Sequence, residues 1–68
     1  METIEVIVVA IRDGGGNVSI VAYADPYDVV QVRMGDTRFE AEAYHLPRWC
    51  KDEGWKYSLE IHRLPAPQ

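Results

Sequence analysis

The chain has 68 residues, of which 47% are hydrophobic and 26% charged, and its formal net charge is −4. This composition lacks the low hydrophobicity and high net charge of disordered chains and is typical of one globular domain. A domain this short buries only about 60% of the surface that its unfolded chain exposes, so its fold needs further support. Cys50 is the only cysteine, which excludes an intrachain disulfide and favours a reducing, cytoplasmic location. Self-association is the remaining common support, and we expect a homodimer.

The N-terminal segment does not resemble a targeting signal or a membrane span. Glu2 and Glu5 interrupt its apolar residues, and it lacks a basic leader. Its apolar run is also too short to cross a bilayer. We therefore expect no export and no membrane partner.

The first half of the chain predicts two strands joined by a glycine-rich loop. Residues 4–11 (IEVIVVAI) are rich in Val and Ile, and both alternating sets of side chains are largely apolar, which predicts a central strand covered on both faces. Residues 12–17 contain three glycines and Asn17, which favour a hairpin loop, and residues 18–23 (VSIVAY) predict the second strand. A phosphate-binding loop would need a helix after the glycines, and none is predicted.

The middle of the chain, residues 29–43 (VVQVRMGDTRFEAEA), allows two interpretations. In the first, Gly35 and Asp36 form a two-residue turn between two strands. In the second, one helix runs from Asp25 to a stop at Gly35 and another begins at Thr37. The β-branched residues before Gly35 favour strands. The hairpin register also brings the apolar residues of both arms to one face, namely Val30, Val32, Met34, Phe39 and Ala41.

The last third of the chain predicts a short helix and a final strand. Pro47 fits the first helical turn and Gly54 the helix end. After it, residues 55–64 (WKYSLEIHRL) alternate strictly between apolar and polar side chains, the pattern of a strand with one buried face. Two prolines favour a flexible tail over residues 64–68, so the single domain spans residues 1–63. The apolar set of the strand is Trp55, Tyr57, Leu59 and Ile61.

The predicted fold class is mainly β, with a small α+β fold as the alternative. Five strands and one short helix before the last strand suit a five-stranded antiparallel sheet or a partly open SH3-like barrel. The resemblance to the SH3-like barrel is one of architecture alone, since the chain carries no residue motif of those families. We therefore assign no family from the sequence.

No constellation of residues predicts catalysis, a metal or a cofactor. Cys50 is a lone thiol with no histidine at a local helical spacing, and we interpret it as a small residue that packs near Trp49. His45, Asp52 and His62 lack the short paired spacing of a structural zinc site. The sequence therefore predicts a protein that is not an enzyme.

The charge is distributed unevenly along the chain. Residues 1–32 carry five acids and one base, whereas residues 33–68 carry six of each. We expect the acids of the first part to meet a protein partner with a basic surface by complementary charge. Since Trp, Tyr and Arg dominate protein interfaces, we expect Tyr44, Arg48 and Trp49 to provide a second contact. The acids are Glu2, Glu5, Asp13, Asp25 and Asp28.

These features predict a small acidic protein-binding module, an inhibitor or an adaptor. In size and charge alone it is similar to phage-encoded inhibitors of host machinery, including anti-CRISPR proteins. The alternative is a small β-barrel that binds single-stranded nucleic acid through the aromatic and basic residues of the second half. The net negative charge disfavours this alternative, because phosphate neutralisation supplies most non-specific affinity.

Overall fold

The computed structural model describes residues 2–66, which form two antiparallel sheets and one α-helix. The predicted mainly β fold with a short helix before the last strand is confirmed. A short 3₁₀ helix, Ala43–His45, precedes the α-helix. The other elements are β1 (Thr3–Arg12), β2 (Val18–Tyr23), β3 (Val29–Met34), β4 (Thr37–Glu42), α1 (Leu46–Glu53) and β5 (Lys56–Pro65).

The five strands divide into two sheets. The first sheet has the order β2-β1-β5, so β1 is the central strand that its sequence predicted. The second sheet is the β3–β4 hairpin. β2 lies beside β3 without a ladder between them, and a shallow hollow lined by Val21 and Val30 marks where the sheets separate. The arrangement is therefore partly open and is not a single five-stranded sheet.

The β3–β4 hairpin confirms the strand interpretation of the middle of the chain. The register is the predicted one, with Met34 opposite Thr37 and, on the exposed face, Arg33 opposite Arg38. Gly35 has a φ of 60°, and no described residue other than glycine has a positive φ. A positive φ at the first turn residue alone defines a type II′ turn, whose twist matches that of paired strands. Three side chains of β3 are buried as predicted, namely Val30, Val32 and Met34.

Replacing Gly35 with Ala is expected to lower the free energy of unfolding by about 1–2 kcal/mol, because a Cβ atom disfavours the left-handed backbone. The added atom would also lie 3.3 Å from Nδ2 of Asn17. Gly14→Ala is the matched control, since Gly14 lacks a positive φ and has no other atom within 4 Å of an added Cβ. Urea unfolding of both variants measures the difference, and equal losses would contradict the turn assignment.

The core lies between the two sheets and under α1. Each sheet and the helical segment contribute side chains that are fully or almost fully buried, and Phe39, Trp55 and Tyr57 pack against them while half-buried. This continuous apolar cluster holds the two sheets together. Its buried members are Val9, Ile11, Val21, Val30, Val32, Met34, Ala43, Leu46 and Cys50.

The predicted short helix is confirmed, and its ends follow from the sequence. Pro47 lies in the first turn of α1, and Gly54, with a φ of 75°, ends it. The Trp55 N–H donates to the Cys50 carbonyl oxygen at 2.8 Å, and this bond, with a second from the Gly54 N–H, is a Schellman motif. The 3₁₀ helix before α1 was not predicted, because its first residue was assigned to the hairpin. No helix within residues 2–66 is long and apolar enough to cross a membrane.

The prediction of one buried face along β5 is wrong for the second half of the strand. Leu59 is 45% and Ile61 is 61% exposed, whereas Trp55 and Tyr57 are half-buried. The covering strands β3 and β4 have six residues each, about 20 Å, but β1 and β5 have ten, about 33 Å. The second sheet therefore ends before β1 and β5 do, which gives the molecule its extents of 43 × 20 × 19 Å.

The tail predicted over residues 64–68 begins later than expected. Pro65 pairs with Thr3 as the last residue of β5, and the Ala66 N–H donates to the Glu2 carbonyl oxygen at 3.0 Å. Proline is compatible with this position because β5 is an edge strand, where a missing N–H need not break a ladder. Residues 67 and 68 lie outside the described range.

The central strand β1 is covered on one face only, which corrects the prediction that both faces are covered. On the inner face Val9 and Ile11 are fully buried, whereas Val8 and Ala10 on the outer face are only half-buried. Ile20 of β2 lies opposite Ala10 on this outer face and is 68% exposed. On β1 and β2 the outer face of the first sheet is therefore apolar and partly exposed, whereas on β5 the same face carries Ser58, Glu60 and His62.

Candidate functional site

The five acids that the sequence grouped together lie at three separate places. Glu2 and Glu5 lie at the start of β1, and Asp13 follows the other end of this ten-residue strand, roughly 30 Å away along an extended backbone. Asp25 and Asp28 lie in the loop between β2 and β3. The structure therefore does not form a single acidic surface from the first part of the chain.

Outside the loop between β2 and β3, two of these carboxylates already have partners within the chain. Asp13 Oδ1 accepts hydrogen bonds from the backbone N–H groups of Gly15 and Asn17, and Oδ2 accepts one from the Asn17 side chain, all at 2.9 Å. The Asn17 side-chain bond is the largest cause of a lowered pKa at Asp13. Glu5 contacts the Arg63 guanidinium at 3.4 Å. Asp13 thus closes its own loop, and Glu5 pairs with Arg63, the residue opposite it on β5.

Two segments meet beside the second sheet and form the candidate site. The loop between β2 and β3 contributes Asp25, Tyr27 and Asp28, and the end of β4 with the following 3₁₀ helix contributes Glu42 and Tyr44. The Tyr27 and Tyr44 rings are in edge-to-face contact, with centroids 5.4 Å apart. They remain 72% and 47% exposed. We call these five residues the tyrosine–carboxylate face.

Backbone hydrogen bonds hold the tyrosine–carboxylate face in place. The Ala43 N–H donates to the carbonyl oxygen of Asp28 at 2.9 Å, and the Tyr44 N–H donates to that of Pro26 at 3.0 Å. The two loop carboxylates also accept backbone N–H groups of their own loop. Pro26 restricts the loop further, because its ring fixes φ. These bonds fix the two segments relative to each other, and so fix the backbone that carries both rings.

The tyrosine–carboxylate face is negatively charged and has no cationic partner. Within residues 2–66 the ion pairs are His62 with Glu60 and Arg63 with Glu5, so no cation lies within 4 Å of the carboxylates of the face. Partial desolvation raises the pKa of the Tyr44 hydroxyl, and the Glu42 carboxylate adds to the increase. The tyrosine hydroxyl therefore stays protonated at neutral pH, and the charge of the face comes from its carboxylates.

A shallow hollow on α1 continues this surface. The His45 ring contacts the Tyr44 ring, with centroids 4.1 Å apart, and leads into a hollow that Arg48 and Trp49 line together with Asp52 and Glu53. Trp49 stacks on Phe39 with centroids 4.3 Å apart and 7° between the ring planes. Trp49 is still 39% exposed, so the expected exposure of Tyr44 and Trp49 is confirmed.

Tyr27, Glu42 and His45 were not predicted from the sequence as site residues. A signal for Tyr27 was present, because residues 25–28 (DPYD) carry the Asp and Pro of an exposed turn, and an aromatic residue within such a turn is exposed. Glu42 and His45 had no such signal. Their position beside Tyr44 depends on the 3₁₀ helix, which the sequence did not predict.

Cys50, a buried ionisable residue elsewhere in the fold, is part of the hydrophobic core. Burial raises the pKa of the Cys50 thiol, so it is protonated at neutral pH and packs in the core as a small apolar side chain. In the part of the chain that the structure describes, no three His, Cys, Asp or Glu side chains are placed to share a metal ion.

The Tyr57 hydroxyl is buried and makes no hydrogen bond of ordinary geometry with the described residues. Burial raises the pKa of Tyr57 to about 12, and nearby Tyr23 adds to the increase. Because this pKa is above the unfolded value of 10.0, the contribution to stability is complete below pH 10 and is lost as the pH rises towards 12.

We expect Tyr57→Phe to melt at least as high as the parent at neutral pH, because the variant removes an unpaired buried hydroxyl. It should also lose less stability than the parent when the pH rises from neutral to about 11. Tyr27→Phe, which removes an exposed hydroxyl, is the control and should keep the alkaline loss of the parent. Thermal melting of the three proteins at both pH values measures these effects, and a lower melting temperature of Tyr57→Phe at neutral pH would contradict them.

Comparison of the chain with protein-family models, with curated proteins and with solved structures finds no match. The fold and the site geometry therefore define a structural class only. The protein is a small, mainly β domain of two antiparallel sheets that presents the exposed tyrosine–carboxylate face. Its function has to be inferred from the chemistry of these residues.

Proposed function

We propose that the protein is a non-enzymatic protein-binding module whose tyrosine–carboxylate face holds an arginine-bearing segment of a basic partner. The observation that carries this proposal is the Tyr27–Tyr44 pair, two rings in edge-to-face contact that are 72% and 47% exposed and whose segments are joined by backbone hydrogen bonds. Ordered tyrosine rings offer a large contact area and lose little conformational entropy on binding. Tyrosine is accordingly enriched at binding hot spots.

The charge of the face selects arginine in the partner. Asp25, Asp28 and Glu42 lie in the same two segments as the rings, and no cation of residues 2–66 lies within 4 Å of their carboxylates. A guanidinium group donates paired hydrogen bonds to a carboxylate and also stacks on a tyrosine ring, whereas an ammonium group acts as a point charge. The hollow beside the face adds Trp49, so an extended segment with an apolar residue next to its arginine fits both surfaces.

An inhibitor and an adaptor would both use such a face, because each acts by occupying a partner's surface. The proposal therefore includes no catalytic step. A homodimeric state and a cytoplasmic location, both expected from the sequence, stay predictions.

An NMR titration of the labelled protein with an arginine-bearing peptide tests the proposal. We expect chemical-shift changes at Tyr27 and Tyr44, and none when glutamine replaces arginine in the peptide. Asp28→Asn should weaken binding by about tenfold, the loss of one charge-assisted hydrogen bond. Asp36→Asn removes the same charge at the β3–β4 turn and is the matched control. Equal losses for the two variants would show that net charge alone attracts the peptide.

Single-stranded nucleic acid is the alternative partner. Phe39 stacks between Trp49 and Trp55, with centroid distances of 4.3 and 6.0 Å, and Trp49 is the most exposed ring of the three. The stack therefore offers one exposed ring, and on an acidic chain a single ring beside few bases is a poor platform for successive nucleotides. A labelled oligonucleotide should therefore show no salt-sensitive binding at low salt. Salt-sensitive binding that Trp49→Ala removes would favour the alternative.

A further inference from the structure

The outer edge of β5 is a long strand edge that no strand of the described chain covers. β5 has ten residues and pairs with β1 on one side only, so its other side carries unpaired backbone N–H and C=O groups. Such an edge is a template for a further strand, and proteins usually interrupt it with a bulge or a proline. Here the ladder with β1 is continuous, and the proline is the last residue, Pro65.

The side chains next to this edge are apolar and uncovered. Leu59 and Ile61 continue the alternating pattern of a buried face, yet they are 45% and 61% exposed. An open strand edge with uncovered apolar side chains beside it favours a protein partner that adds a further strand.

We propose that this partner is a second copy of the chain, whose β5 pairs antiparallel with the first around a two-fold axis at Ile61. The two three-stranded sheets then form one six-stranded sheet. A two-fold axis makes every contact occur twice, so the edge must be complementary to itself. Centring on Ile61 places Glu60 of each copy opposite His62 of the other. Within one chain Glu60 and His62 already lie 3.1 Å apart, so two such pairs would surround the axis.

The residues that would lie opposite each other distinguish this register from the two neighbouring ones. A pairing centred on Glu60 would place two carboxylates directly opposite each other, which is unfavourable. A pairing centred on Leu59 would place Lys56 opposite His62 and leave Glu60 without a basic residue opposite. Of these three registers, the one centred on Ile61 gives Glu60 a complementary residue, His62, across the axis.

The inner face of the joined sheet supports the same register. Ile7 pairs with Ile61 within the chain. In the dimer these two residues and their copies would form a row of four isoleucines across the axis. This row would cover Ile61, the most exposed apolar residue of β5. This interface is separate from the tyrosine–carboxylate face, so the inference does not depend on the proposed function.

Sedimentation equilibrium of the full chain over a concentration series tests the dimer. The parent, with a chain mass of 7.8 kDa, should approach twice that mass as its concentration rises. Ile61→Lys should raise the dissociation constant at least about tenfold, because two like charges would meet at the axis. Its circular dichroism at low concentration should match the parent, since this side chain is exposed in the monomer. Ile20→Lys changes an isoleucine that is 68% exposed on the outer face and should leave association unchanged.

A charge swap tests the register. Glu60→His and His62→Glu should each weaken association, because each places like residues opposite each other across the axis. The double variant restores two complementary pairs and should associate like the parent. A parent that stays monomeric at every concentration, an Ile61→Lys variant that associates normally, or a double variant that fails to recover would each overturn the inference.

Discussion

Replacing Ile11 with Ala is expected to unfold much of the protein at room temperature. Ile11 is fully buried on the inner face of the central strand β1. Truncating a buried isoleucine to alanine costs about 2–5 kcal/mol, whereas a domain of this length rarely has more than about 3–5 kcal/mol in total. The loss is therefore comparable with the whole stability. Urea unfolding followed by circular dichroism measures it.

Ile20→Ala is the matched control, because it makes the same chemical change in the same sheet at a residue that is 68% exposed. We expect its free energy of unfolding to stay within about 0.5 kcal/mol of the parent. The comparison separates the inner face of the first sheet from its outer face. Equal destabilisation by the two substitutions would mean that Ile20 is buried on the outer face of the first sheet, contrary to the structure of the monomer.

The β3–β4 hairpin could be predicted from the sequence because its signals are local and agree with one another. The turn at Gly35, the β-branched residues before it and the shared apolar face all require one register, and the structure has that register. The helix end at Gly54 is also a local feature, since a left-handed residue there completes the Schellman motif. Both predictions depend on residues within one turn or one hairpin.

The exposure of Leu59 and Ile61 could not be predicted in this way. Strict alternation shows which side chains share a face, but it does not show how far the opposite layer extends. Here that layer consists of strands of six residues, which are shorter than β1 and β5. Sequence alone therefore predicts that Leu59→Ala is as damaging as a core truncation. The structure predicts a smaller loss, because the residue is already 45% exposed.

The candidate site was predictable only in part. Tyr44 and Trp49 were expected to be exposed, and they are. The grouping of the acids failed because residues that are close in sequence and equal in charge need not share a surface. The Asp28 carbonyl oxygen accepts the Ala43 N–H, which brings Asp28 next to the segment of Tyr44, whereas the Asp13 carboxylate is occupied by its own loop. The first contact continues the β3–β4 pairing by one residue beyond Val29 and Glu42, and the second is confined to one loop.

Replacing Tyr44 with Ala is expected to weaken binding of the arginine-bearing peptide by at least about 2 kcal/mol, roughly thirtyfold in Kd. The substitution removes the contact area of one ring and also the edge-to-face support of Tyr27, whose centroid lies 5.4 Å away. Tyr44 is 47% exposed, so the variant should still fold, and a thermal melt verifies this. Isothermal titration calorimetry measures the loss of affinity.

Tyr44→Phe separates the ring from its hydroxyl group. It keeps the stacking surface, so we expect its affinity for the peptide to stay within about threefold of the parent. A loss as large as that of Tyr44→Ala would mean that the hydroxyl, and not the ring, holds the peptide. Because the two rings support each other, Tyr27→Ala combined with Tyr44→Ala should lose less affinity than the sum of the single losses. Strict additivity would show that the two tyrosines bind independently, and the ordered pair would then no longer explain the recognition.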